Sequence, residues 1–284
     1  MGIAKILANH PNFKDKFNRG FYAVGVMTGG GFGSVDINVL NDNKVMIRTS
    51  ESGHNLAFDP IEKKVLRLGK LGASAKCVIE NYSEALGIKD ENKLKALINT
   101  GDARIATNEE ITLKTDKDAI AIETLLETGV YKVKEKLDGK TVLQVDSSDP
   151  ENIQKFKNAQ RSAINEYVDA IAQHAITKIN EGADLMILTG PLALGLNKTV
   201  ANDPENFNGR DSLRDLIMDK IDSYVKNDIT CTILREEHGF DILCTDEINL
   251  PDNTVAGPIL LDDKTSMFAR RGEWITISTD ALKE

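Results

Sequence analysis

Residues 21–55 constrain the fold more than any other stretch. An apolar run, Phe21-Tyr22-Ala23-Val24-Gly25-Val26, leads into four glycines in five positions, Gly29, Gly30, Gly31 and Gly33. Val35, Ile37 and Val39 then alternate with polar residues. Asn41-Asp42-Asn43 marks a turn, and Val45-Met46-Ile47 runs into Glu51-Ser52-Gly53-His54. Alternation at period two marks a half-buried strand. The pattern predicts two antiparallel strands around a glycine turn, with a polar cluster at the end of the hairpin. Glycine allows positive φ and close backbone approach, so amides in such a turn can point at phosphate. The spacing matches neither the P-loop nor the dinucleotide fingerprint, and a plain tight bend would use the same residues.

The remainder alternates helical and strand patterns. Residues 1–20 read as a short amphipathic helix broken at Pro11, followed by a basic-rich loop. Residues 56–70 read as a loop with a short strand at 64–68. Residues 71–86 carry Leu71, Ala75, Val78, Ile79, Tyr82 and Leu86 at helical spacing, with Gly87 as the stop. A second short helix covers 89–99. Residues 103–115 and 130–145 alternate, Asp138-Gly139 signals a hairpin turn, and 117–127 is helical. Ser148-Asp149-Pro150-Glu151 opens a long helix to about residue 180, with Phe156, Ala159, Ala163, Tyr167, Ile171 and Ala175 on one face. Gly182 ends it. A strand at 184–188 enters the turn Thr189-Gly190-Pro191, which runs on to Gly195. A polar loop at 199–209, a helix at 211–226, strands at 229–234 and 240–244, a short apolar piece at 258–262 and a last strand at 272–278 complete the order. Helix, strand, glycine turn and helix in succession is α/β logic, and ligands favour the carboxyl ends of such strands. Three segments follow: 1–99 with the glycine hairpin, 100–148 as an insertion or subdomain, and 149–284.

Composition bounds the partners. At 284 residues, with 41% hydrophobic and 28% charged residues, the chain can bury a sizeable core. A net charge of −9 argues against a nucleic-acid or anionic-membrane surface. No apolar run approaches a membrane span. Cys77, Cys231 and Cys244 form no paired motif, which fits a reduced, cytoplasmic setting. His174 reads as a packing residue of the long helix, and Cys231 and Cys244 as small core residues of strands.

Three separated pieces resemble one family. The strand and turn ending Gly29-Gly30-Gly31-Phe32-Gly33, the motif Glu51-Ser52-Gly53-His54, and Ile79-Glu80-Asn81-Tyr82-Ser83 are similar, in order and spacing, to motifs of bacterial glucokinases and the ROK sugar kinases. The long helix leading into the strand and turn ending at Gly195 is similar too. The resemblance implies an actin-like ATPase (ribonuclease-H-like) α/β domain, a mixed sheet flanked by helices with a small insertion. It implies ATP-dependent phosphorylation of a hexose, with Mg2+ on the phosphates. Gly29, Gly30, Gly31 and Gly33 would approach the ATP phosphates, and Thr189, Gly190 and Gly195 would border the adenosine. Glu51, His54 and Glu80 would bind sugar hydroxyls, because carboxylates accept hydrogen bonds and imidazole donates or accepts.

The sequence departs from the family at named places. Gly30 stands where the family has Thr, and Pro191 replaces a family glycine. Only Cys77 stands near the position of the family's zinc cluster, so no zinc site is expected. The family's first phosphate loop and catalytic Asp are not matched, which places the general base upstream of Met1 and predicts an incomplete kinase. The alternative is a non-catalytic sugar-sensing or interaction protein on the same scaffold. A third option is an actin-like ATPase whose ligand is not a sugar. The expected partner is a small-molecule sugar, and a homo-oligomer stays open.

Overall fold

A computed structural model of the chain describes residues 21–30, 32–39, 44–53, 56–59, 64–67, 73–226, 228–244, 259–260, 266–267 and 274–278. Apolar alternation in the first hairpin becomes strands β1 (Phe21–Thr28) and β2 (Phe32–Val39), antiparallel with Thr28 opposite Phe32. Strand β3 (Lys44–Gly53) continues the meander. It is longer than the expected 45–47 segment and carries Glu51, Ser52 and Gly53 in its ladder. A short antiparallel hairpin, β4 (Leu56–Asp59) with β5 (Lys64–Arg67), occupies part of the stretch expected as loop.

Helix α1 (Ala75–Ala85) begins where the Ser74 side chain accepts from the Cys77 amide, and it buries Val78, Ile79 and Tyr82 completely. Val78 and Ile79 each contribute about 1.5–3 kcal/mol on leaving water. Gly87, at φ +84°, lies just past the end of α1 in the left-handed region. Helix α2 (Glu91–Thr100) is capped by Asp90. The middle of the chain forms a short helix α3 (Arg104–Thr107), strand β6 (Glu110–Lys114), helix α4 (Ala119–Glu127), and the hairpin β7 (Tyr131–Leu137) and β8 (Lys140–Val145). These strands make a three-stranded sheet in the order β6-β8-β7. Ile111, Leu113, Leu143 and Val145 join the same buried cluster as α1 and the main helix. The Tyr131 hydroxyl, 2.5 Å from that of Tyr82 and 3.1 Å from the Ile105 carbonyl, ties the two regions together.

Helix α5 (Pro150–Asn180) matches the sequence signals, with Asp149 as cap and Pro150 in the first turn. All six apolar residues expected on one face are buried. It leads through Gly182 (φ +90°) to β9 (Leu185–Thr189), which is parallel to β1. Helix α6 (Pro191–Asn202) follows at once. Thus Gly195 lies inside a helix rather than in a turn, and the polar loop expected at 199–209 is the end of α6 plus a 3-10 turn, Pro204–Phe207. Ser212 caps helix α7 (Leu213–Val225).

The strand expected at 229–234 is instead helix α8 (Ile229–His238). The β-branched run Ile-Thr-Cys-Thr-Ile suggested a strand. Asp228, accepting from the Cys231 amide at 3.0 Å, and Gly239 at φ +60° supply both helix ends and override that preference. Cys231 is buried as expected, but from a helix. Strand β10 (Asp241–Cys244) runs parallel to β9. A two-residue pair, β11 (Ile259–Leu260) with β12 (Ser266–Met267), precedes β13 (Trp274–Ser278), which pairs with β3. The mixed main sheet has the order β10-β9-β1-β2-β3-β13. Helix α5 reaches β1 and β2 through Tyr167, His174 and Lys178, and α1, α7 and α8 pack on α5. The architecture is α/β, a mixed sheet flanked by helices. Among the described residues, no helix is long and apolar enough to cross a membrane.

Candidate functional site

Strands β1, β3, β9 and β10 all run in one direction, because β2 reverses the chain between β1 and β3. Their carboxyl ends therefore share one edge of the sheet. Gly29 and Gly30 stand there, Gly29 half-buried and Gly30 exposed. Gly53 is opposite Phe32, Ser52 opposite Gly33, and Glu51 opposite Ser34, so the end of β3 flanks the glycine turn.

Two helix N-termini meet the same turn. The amide of Ala75, first residue of α1, donates to the Gly29 carbonyl at 2.7 Å. Pro191, first residue of α6, is 3.7 Å from where a Cβ on Gly29 would stand. The N-terminus of α6 has Gly190 as its cap and no side-chain hydrogen bond there. The first amides of a helix lack intrahelical partners and carry the positive end of its dipole. An uncapped N-terminus beside a glycine turn is thus suited to an anion.

Gly190 is required where it stands. Its φ is +98°, and a Cβ would come within 2.3 Å of the Thr28 carbonyl oxygen. This close approach is what lets the end of β9 turn into α6 against the end of β1. Gly30 is the opposite case, because a Cβ there meets nothing within 4 Å. The turn therefore opens on space on that side.

The other expected residues fall as follows. Gly33 is a ladder residue of β2, opposite Met27. Thr189 ends β9, and its hydroxyl turns inward to the Val26 carbonyl at 3.4 Å. Gly195 is the fifth residue of α6, and its carbonyl accepts from the Thr199 hydroxyl at 3.0 Å. Glu80 is buried, on the helix whose first residue binds Gly29. The backbone places Glu51 beside the turn. Gly31 and His54 lie outside the described residues, as does the helix expected before Phe21.

Sequence reasoning passed over a polar seam between α5 and the sheet. The hydroxyls of Tyr167 and Thr28 are 3.0 Å apart, and His174 Nε2 is 2.9 Å from Ser34 Oγ. Lys178 Nζ is 3.0 Å from Asp36 Oδ1. On α5 the three residues are spaced seven and four apart, so they share a face, and Thr28, Ser34 and Asp36 supply the matching row. The signal was present as polar residues on the buried stripe of an amphipathic helix. Burial pushes the Tyr167 phenol up, and the Thr28 hydrogen bond opposes that only in part.

A cavity of about 360 Å³ lies elsewhere, lined by Leu86, Gly87, Thr128, Val130 and Lys155 among others. It sits at the opposite end of α1 from the glycine turn, about 15 Å along the helix axis. The ends of β1, β3 and β9 and the N-termini of α1 and α6 converge instead at the glycine turn, which is the candidate site. Among the described residues, no group of three or more His, Cys, Asp or Glu side chains could hold a metal. No family model matches the chain, and no curated protein matches it.

Proposed function

We propose that the chain carries the ATP- and sugar-binding part of a hexose kinase of the glucokinase and ROK type, on an actin-like ATPase scaffold. One observation carries the reading: the glycine turn stands between the N-termini of α1 and α6, with Glu51–Gly53 ending beside it. The mixed sheet, with the site at the carboxyl ends of its parallel strands, is compatible with that scaffold. The open side of Gly30 and the uncapped start of α6 fit a polyphosphate. Bound ATP would supply the γ-phosphoryl group, with Mg2+ on its phosphates. Gly29, Gly30 and Gly31 would line the phosphates, Gly190 would hold the adenosine edge, and Glu51, His54 and Glu80 would fix the hexose. A site that hydrogen-bonds each hydroxyl discriminates strongly, because a missing hydroxyl leaves a buried polar group unpaired.

A non-catalytic sugar-sensing protein is the second reading, and like the incomplete kinase it needs no general base on β2, where Asp36 stands. That carboxylate is paired with Lys178 and accepts from the Tyr22 hydroxyl, so it is not placed to act as a base at the turn. Calorimetric titration with Mg·ATP and with a panel of hexoses, followed by a phosphoryl-transfer assay, separates the readings. Binding of both ligands with turnover supports the kinase. Hexose binding without turnover supports the sensor if Mg·ATP does not bind, and equally an incomplete kinase if it does. No binding of either at millimolar concentration overturns both.

A further inference from the structure

We propose that His174 is a positioning residue: through Ser34 it fixes the irregularity in the β2–β3 ladder that sets where Glu51 stands. The relevance to sugar binding rests on the function proposed above, while the positioning itself does not.

The ladder shows the irregularity directly. Val35 is opposite Thr49, but Ser34 is opposite Glu51, so Ser50 is an extra residue on β3. Because strand periodicity is two, one extra residue re-phases every position after it. In an unbroken ladder Glu51 would oppose Gly33. With the bulge it takes the row of Ser34, and Gly53 the row of Phe32.

His174 engages both of those β2 residues. Its Nε2 is 2.9 Å from Ser34 Oγ, and its ring meets Phe32 edge-on, with centroids 5.4 Å apart at 89°. Ser34 is fully buried, where a hydroxyl is costly unless hydrogen-bonded. The imidazole comes from a helix whose register is set on either side by the Tyr167–Thr28 and Lys178–Asp36 pairs. It therefore clamps β2 from a fixed platform at the two positions, flanking Gly33, that face the re-phased end of β3. The chain of contact runs from α5 through His174 and Ser34 to the ladder position of Glu51.

Hydrogen–deuterium exchange tests this on the full chain, with the variants H174A, H174Q and S34A. In H174A and S34A, the amides of residues 49–53 exchange about five- to tenfold faster, the scale of one lost hydrogen bond. Amides of β1 and β9 stay unchanged. H174Q, whose side-chain amide can also reach Ser34, restores protection. Unchanged exchange at 49–53, or a rise spread equally over the sheet, overturns the proposal. S34A removes only a hydroxyl and keeps the test open if H174A does not fold. Titration with glucose separates the two ideas. Faster exchange with weakened glucose binding supports both. Faster exchange in a chain that never bound hexose supports the role of His174 and removes the sugar reading.

Discussion

The ammonium of Lys178 lies 3.0 Å from Asp36 Oδ1, with both side chains inside the molecule, at 5% and 0% exposure. Asp36 also accepts from the Tyr22 hydroxyl at 2.9 Å, and Lys178 reaches Glu181 at 2.9 Å. The Tyr22 amide donates to Asp184 at 2.7 Å, so the network joins β1, β2 and the turn after α5. A buried pair is weak evidence of net stabilisation, because removing two charges from water is costly, but removing one partner strands the other. Asp36→Leu or Lys178→Met alone should each destabilise by about 3–5 kcal/mol. The double variant Asp36→Leu with Lys178→Met should recover most of that loss. Urea denaturation of the three proteins measures the coupling, and additive losses would show that the charges do not depend on each other.

At the glycine turn, two substitutions of similar chemistry should behave differently. Gly190→Ala forces a Cβ against the Thr28 carbonyl at positive φ, where backbone strain alone costs about 1–3 kcal/mol. Gly30→Thr adds a side chain into open space and should stay within about 0.5 kcal/mol of the parent. Under the kinase reading, Gly30→Thr also places a hydroxyl beside the phosphates and strengthens Mg·ATP binding. Thermal unfolding checks the first contrast and nucleotide titration the second. Weaker ATP binding with an intact fold would show that the open side of the turn matters without the expected contact.

Much of this arrangement was legible beforehand, for reasons that differ by element. The end signals of α5 were local: Asp149 and Pro150 at its start and Gly182 just beyond its end fixed the helix almost to the residue. The hairpin of β1 and β2 followed from period-two alternation around glycines. The helix α8 was missed because β-branched residues outweighed the cap pair Asp228 and Gly239, a conflict settled by end chemistry and by packing on α5. The site was legible only as separate motifs. That α1 starts on the Gly29 carbonyl, and that an extra residue re-phases Glu51, are long-range facts that no local pattern carries. His174 read as packing because helical periodicity reports that a position faces inward, and not what it meets there.

Four of the five tyrosines predict an alkaline limit. Burial pushes the Tyr82 phenol well up, and its neighbour Tyr131 adds to that. Burial likewise raises Tyr131 and Tyr167, and burial together with the Asp36 carboxylate raises Tyr22. Each then binds its proton more tightly folded than unfolded, where the phenol titrates near ~10. The stabilisation is fully present below that pH and is lost as pH rises beyond it, because the unfolded chain releases protons that the fold retains. Stability should fall above about pH 10, with the phenolate absorbance of these four rising together with loss of helical circular dichroism. Tyr131→Phe removes the hydroxyl that bridges Tyr82 and the Ile105 carbonyl and should cost about 1–2 kcal/mol at neutral pH. Gradual phenolate formation in a chain that stays helical would contradict the account.

Glu80 gives the sharpest test of the sugar side. It is 9% exposed, in the second turn of the helix whose first amide holds Gly29, so its position is tied to the glycine turn by the stiffness of α1. Glu80→Gln keeps the shape and removes the charge. If the carboxylate accepts from a hexose hydroxyl, the variant loses a charge-assisted hydrogen bond of about 1.5–3 kcal/mol, roughly 10- to 150-fold in hexose affinity. Mg·ATP binding should change little, because the phosphates would meet backbone amides and not this side chain. Calorimetric titration of parent and variant with both ligands, beside their melting temperatures, separates the outcomes. A drop confined to hexose affinity assigns Glu80 to the sugar. An equal loss for both ligands with a lowered melting temperature assigns it to the fold of α1 instead.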